Sequence, residues 1–180
     1  IKDSNLSYVS QELWTFSGTI NENICFEEDE SKQKRYEKIL EKCEMKKDLN
    51  SFKEKGNKII DCKGSNISGG QKQRINIARS AFENNNDLII LDNCLSSIDN
   101  NIANLIFDNL FSMLKNEEKG ILFATSDSKW IHKADKVYFI ENNELFLKDK
   151  TQILSELKFK LKQEKEKEII ISENIDINVN

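Results

Sequence analysis

The run Asp87-Leu88-Ile89-Ile90-Leu91-Asp92 constrains this chain more than any other stretch. Its apolar residues do not alternate with polar ones. A strand that hides both faces reads this way, and such strands belong to parallel sheets flanked by helices. Ile121 to Thr125 is expected to be a second buried strand, and Leu6 to Val9 a short one. Helical stretches lie between them. Strand, helix, strand, helix, strand with buried strands specifies an α/β fold. Ligands of such sheets bind outside the carboxyl ends of the strands, and Asp92 stands at one of those ends.

Upstream lies Asn66-Ile67-Ser68-Gly69-Gly70-Gln71-Lys72-Gln73-Arg74-Ile75. Ser68 can cap a helix, and Gln71 stands at capping-box spacing from it. The glycines remove Cβ atoms and let something come close. A helix start carries unpaired N–H groups and partial positive charge, and so can hold a phosphate. Taken alone, these letters also fit an ordinary capped helix. Asp92 alone also fits an aspartate that begins a turn; as a ligand, it would hold Mg²⁺ beside a nucleotide phosphate, usually through water.

The remaining pattern is coarser. Ile20 to Phe26 reads as a helical turn or two, and Glu27 to Ser31 as an acidic loop. Lys32 to Glu44 reads as a helix with Tyr36, Ile39, Leu40 and Cys43 on one side, and Asp48 to Phe52 as a shorter one. Asn57 to Ser65 reads as a polar loop. Gln71 to Phe82 reads as a helix with Ile75, Ala78 and Phe82 on one face and Arg74 and Arg79 on a solvated one. Asn100 to Asn116 is expected to turn Ile102, Leu105, Ile106, Leu110, Met113 and Leu114 inward. Ser128 to Ala134 reads as a short helix. Val137 to Ile140 and Glu144 to Leu147 read as strands joined by a tight turn at Asn142-Asn143. Thr151 is expected to cap a last helix that buries Ile153, Leu154 and Leu157. From Lys158 the chain turns to Lys and Glu, a charged tail or linker over 158–180.

Bulk properties remove several functions. The net charge is −4, which does not suit nucleic-acid binding. No apolar run approaches the roughly 20 residues of a membrane helix. Cys25, Cys43, Cys62 and Cys94 lie far apart with a single histidine, His132. That spacing fits neither a zinc site nor a compact disulfide framework, so reduced thiols in a cytosolic setting are expected. His132 is expected at the surface.

Taken together, the motifs resemble the ATP-binding cassette (ABC) family. Ile67-Ser68-Gly69-Gly70-Gln71 with Lys72-Gln73-Arg74 looks like its signature motif, and Leu88-Ile89-Ile90-Leu91-Asp92 like its Walker B strand. Ser96-Ser97-Ile98-Asp99 looks like the D-loop, and Tyr8-Val9-Ser10-Gln11 like the Q-loop. Trp14 with Gly18-Thr19-Ile20-Asn21-Glu22-Asn23-Ile24 is similar to the first nucleotide-binding domain of C-subfamily, multidrug-resistance-associated exporters. The resemblance implies the C-terminal part of an ABC ATPase domain over 1–157, a parallel-sheet core with a helical signature subdomain over about 20–85. It implies ATP and Mg²⁺ as cofactors, with Asp92 and Gln11 serving the metal indirectly. It implies nucleotide contacts from Gln11, Ser68, Gly69, Gly70, Gln71 and Asp92. It implies two partners: a second nucleotide-binding domain in a head-to-tail ATP sandwich, and the coupling helix of a transmembrane domain. Trp14 and Phe16 then read either as core or as the groove for that helix. The implied location is the cytoplasmic face of a membrane, within an integral membrane protein.

The sequence departs from the family pattern in ways that bear on function. It holds no Gly-x-x-x-x-Gly-Lys-[Ser/Thr], so the phosphate loop is expected upstream of Ile1. Asn93 stands where the family has a catalytic glutamate, and an amide cannot take a proton from the attacking water. Ser126 stands where the family has its switch histidine and does not titrate near neutral pH. Cys94 replaces a proline. Asn93 and Ser126 would serve the domain's own nucleotide, whereas the intact signature serves the opposite domain's. The implied function is an ATP-binding module of an exporter with a degenerate site of its own. The alternatives are a non-hydrolysing regulatory module and a cytosolic ABC ATPase that moves no solute.

Overall fold

The computed structural model describes residues 5–26, 30–153 and 155. The expected acidic loop lies partly outside them, as do the tail over 158–180 and the inward Leu154 and Leu157. Two compact units are present, Ile1–Ser126 and Asp127–Asn180.

The first unit is built on a parallel sheet of β1 (Leu6–Val9), β4 (Leu88–Asp92) and β5 (Gly120–Ala124), with β4 in the centre. Leu6 pairs with Leu88 and Val9 with Leu91. Leu88 pairs with Gly120 and Asp92 with Ala124. The expected α/β class and parallel pairing are therefore present. One face of the sheet carries Val9, Ile89 and Leu91, all buried. On that side Ser7 Oγ donates to Ser80 O at 3.1 Å, and Phe123 packs its ring edge-on against Phe107 and Phe111. The other face leaves Leu6, Tyr8 and Leu122 more than half exposed. β5 is thus an edge strand, not the buried strand that its apolar letters predict.

Between β1 and β4 run β2 (Gly18–Thr19), α1 (Ile20–Cys25), α2 (Gln33–Lys42), α3 (Lys46–Ser51), β3 (Ile59–Ile60) and α4 (Gly69–Phe82). β3 lies inside the stretch expected as a loop and pairs antiparallel with β2. Strands of two residues are too short to show period. Thr19 caps α1 in a capping box with Glu22. Ile39 and Leu40 of α2 and its C-cap residue Cys43 are buried.

α4 is buried over most of its circumference, including Gln73 and Arg74. The expectation of Arg74 and Arg79 on a solvated face is wrong, because a carboxylate and carbonyls await Arg74, and carbonyl and amide oxygens await Arg79. Arg74 pairs with Asp48 at 2.7 Å and donates to Glu44 O at 2.8 Å. Arg79 donates to Asn23 O at 2.5 Å, and its guanidinium lies 4.6 Å from the Trp14 ring centroid. Burial lowers the Arg79 pKa to about 10, which leaves it charged at neutral pH. Arg35 of α2 closes the far end of α4. It donates to Ala81 O and Phe82 O at 2.6 Å each and forks onto both oxygens of Glu117 at 3.1 Å.

The helix expected over 100–116 is present but not uniform. α5 (Asn100–Ile106) and α6 (Ser112–Asn116) flank a π-helical turn at Phe107–Phe111. The widened turn sets Phe107 and Phe111 4.4 Å apart. Ile106, Leu110, Met113 and Leu114 face inward as expected, whereas Leu105 is exposed and Ala103 takes a core position.

The second unit holds a 3₁₀ helix, Ser128–Lys133, with Trp130 buried, and a hairpin of β6 (Val137–Glu141) and β7 (Glu144–Lys148). Asn142 and Asn143 both take positive φ, as a two-residue primed turn requires. The last cap belongs to Asp149, not Thr151: its Oδ1 accepts from Thr151 N at 2.8 Å and Gln152 N at 3.3 Å. His132 is exposed. No cysteine is bridged, and burial raises the Cys43 and Cys94 thiols, the latter to about 12. No helix of the described residues is long and apolar enough to cross a membrane.

Candidate functional site

The carboxyl end of the sheet collects residues from all its strands. Gln11 lies exposed in the bend two residues past Val9, and Val9 pairs with Leu91. Asp92 ends β4 and pairs with Ala124, two residues before the exposed Ser126. Gln11, Asp92, Asn93 and Ser126 are therefore gathered at one edge by register.

Asp92 is half-buried, and its Oδ2 accepts a hydrogen bond from the Tyr8 hydroxyl at 3.1 Å. That bond, ahead of burial and charge, raises the Tyr8 pKa. Sequence reasoning did not single out Tyr8. The signal was its place on a strand: it pairs with Ile90, so it shares a sheet face with Asp92 one diagonal step on. Among the described residues no three Asp, Glu, His or Cys gather as a metal cage. One carboxylate at a strand end fits Mg²⁺, which takes one or two carboxylates and completes its shell with phosphate and water.

Asn93 takes φ 46, in the left-handed region. Asparagine tolerates that conformation better than most residues, because its short amide can bond locally. Its N–H donates to Ala124 O at 2.8 Å, and its carbonyl accepts from Ser96 Oγ at 2.8 Å. The turn after β4 thus runs directly into Ser96-Ser97-Ile98-Asp99. Ile98 is buried and anchors this loop, while Ser96 and Ser97 stay exposed. Asp99 caps α5, accepting from Asn101 N at 2.9 Å and Ile102 N at 3.3 Å.

The second part of the site is the start of α4. Ser68 Oγ accepts from Gln71 N at 3.2 Å, and Gln71 Oε1 accepts from Ser68 N at 2.9 Å, the reciprocal box expected from the letters. A Cβ on Gly69 would meet nothing within 4 Å, and Gly69 has no positive φ. A Cβ on Gly70 would lie 3.4 Å from Ser97 O. That proximity joins the helix start to the loop after Asp92. Asp48, a residue the sequence had not marked, accepts from both Gln71 and Arg74.

Comparison with known proteins bears on this arrangement. The family model described as "ABC transporter" matches residues 1–96. ATP-binding cassette sub-family C member 4 of Mus musculus is 41% identical over 93 residues, 52% of this chain and 7% of that protein. The probable multidrug resistance-associated protein lethal(2)03659 of Drosophila melanogaster is 40% identical over 96 residues, 53% of this chain and 7% of that protein. The vacuolar heme ABC transmembrane exporter abc3 of Schizosaccharomyces pombe is 31% identical over 165 residues, 88% of this chain and 11% of that protein. The chain therefore spans only a small part of these relatives.

Proposed function

Because the chain belongs to the ABC transporter family, we propose that it is an ATP-binding module of a C-subfamily exporter whose signature end completes the nucleotide site of a partner domain. On this reading Ser68, Gly69, Gly70 and Gln71 face the γ-phosphate of ATP held by a second nucleotide-binding domain. Ser96, Ser97, Ile98 and Asp99 form the adjoining contact with that domain.

The observation that carries the reading is the open space over Gly69. Glycine where alanine would fit without strain costs roughly 0.4–1 kcal/mol through the entropy of the unfolded chain. Nothing within the described chain needs it there, since its backbone is not left-handed and no neighbour crowds it. The demand comes from something that approaches from outside. A capped helix start with exposed N–H groups suits a phosphate.

In its own site the chain would hold Mg²⁺ through Asp92, with Tyr8 fixing one oxygen of that carboxylate and Gln11 nearby. The ion, when bound, screens phosphate charge and orients the terminal phosphoryl group. Asn93 can hold a water by hydrogen bonds but cannot take its proton, and general-base loss costs about 10²–10⁴ in rate. Ser126 can donate to a phosphate oxygen. Own-site turnover is therefore slow or absent, and ATP held there acts by occupancy.

Asn93 and Ser126 also favour a second reading, in which the whole module is regulatory and never participates in turnover. Gly69→Asp separates the two. In the full-length transporter the first reading expects ATP turnover to fall to background, because a carboxylate would occupy the phosphate's place. Undiminished turnover would sink it. The coupling helix of a transmembrane domain is the other expected partner, received beside Trp14, which is exposed next to Arg79.

A further inference from the structure

Asp48, on α3, faces two donors of α4. Its Oδ1 accepts from Gln71 Nε2 at 3.0 Å, and its Oδ2 from Arg74 Nη2 at 2.7 Å. Arg74 is pinned independently by Glu44 O at 2.8 Å and Gly70 O at 3.2 Å. Gln71 carries the polarity onward, since its Oε1 accepts from the Ser68 N–H at 2.9 Å.

A glutamine amide has one donor end and one acceptor end, whereas an ionised carboxylate only accepts. Asp48 therefore holds the Gln71 amide with its nitrogen toward α3 and its oxygen toward Ser68. Reversing the amide would oppose two donors at Ser68 and two acceptors at Asp48. The orientation of the cap is thus decided by a residue on another helix.

We propose that Asp48 is a positioning residue that sets the Gln71 amide and so holds Ser68, Gly69 and Gly70 in the geometry that receives the partner's phosphate. The functional half rests on the reading of this helix start given above. The geometric half does not.

The test is residue-resolved amide exchange on the full-length transporter. Asp48→Asn keeps shape and fold. The charged Arg74 claims the new amide's oxygen, leaving an NH₂ group facing Gln71. Gln71 must then reverse and lose Ser68. Exchange at the Ser68 amide should rise about five- to tenfold, the loss of a typical cap bond, while Ile75 to Ala81 stay unchanged. Adding Gln71→Glu should restore protection, because a glutamate accepts at both ends. In the full-length transporter the KM for ATP should rise in Asp48→Asn.

Unchanged exchange at Ser68, or no recovery in the double variant, overturns the proposal. Exchange that behaves as described while turnover resists both Asp48→Asn and Gly69→Asp also overturns it. In that case the failure lies with the reading of the motif, not with the hydrogen-bond relay.

Discussion

The Tyr8 hydroxyl donates to Asp92 Oδ2 at 3.1 Å, tying two neighbouring parallel strands at the end that bears the candidate metal ligand. The bond needs a protonated tyrosine, and the carboxylate raises the Tyr8 pKa above 10.0. A group whose folded-state pKa is raised stabilises the fold below its unfolded pKa and loses that contribution as pH climbs through the folded one. Tyr8→Phe should therefore lower the urea midpoint by a constant amount from neutral pH to the ordinary tyrosine range. The gap should close in more alkaline buffer. A gap that persists unchanged at alkaline pH would show that the hydroxyl does not stabilise through this bond.

Asn93 stands at φ 46, so its replacement is first a backbone matter. Asn93→Ala should cost about 1 kcal/mol through left-handed strain, and Asn93→Gly close to nothing. Thermal unfolding of the pair measures this directly. Asn93→Glu should carry a similar strain and recover little turnover while Ser126 remains. A large recovery would mean that Ser126 is not the switch position.

Gly69→Ala should separate stability from activity. The added methyl meets open space on a backbone without positive φ, so stability should rise by about 0.4–1 kcal/mol. Turnover of the full-length transporter should fall all the same, because the methyl occupies the approach to the Gly69 and Gly70 N–H groups at the helix start. A melting curve and a turnover assay on the same preparation decide the point.

Arg35 binds Ala81 O, Phe82 O and Glu117, and its side chain is only 15% exposed. Arg35→Met should destabilise by about 2–3 kcal/mol, since it leaves a partly buried carboxylate and two helix-end carbonyls without their donor. Glu117→Gln should cost less, because the carbonyl bonds survive. Denaturant midpoints for the two variants give the comparison. Equal losses would mean that the ion pair, not the closing of α4, carries the effect.

The central strand was legible because four unalternating apolar letters between two aspartates leave little choice. The helix cap was legible because its two reciprocal bonds depend on residues three apart. Charge misled at Arg74 and Arg79. Their letters suggest solvent, and only tertiary acceptors on Asp48, Glu44 and Asn23 make their burial possible. β2 and β3 were invisible, since two residues cannot display a period. The candidate site was half legible. Its motifs announced Gln11, Asp92 and Ser68, but the Tyr8 contact follows from strand register and the Asp48 contact from how α3 lies beside α4.

Gly70 sits so close to the loop after Asp92 that a methyl there would reach contact distance with Ser97 O. In evolutionary terms the two stretches are not free to drift apart. A lineage can relax the chemistry at Asn93 and Ser126 without touching this seam. A change at Gly70 is instead made against Ser97, and the cost of changes at both together will differ from the sum of each alone.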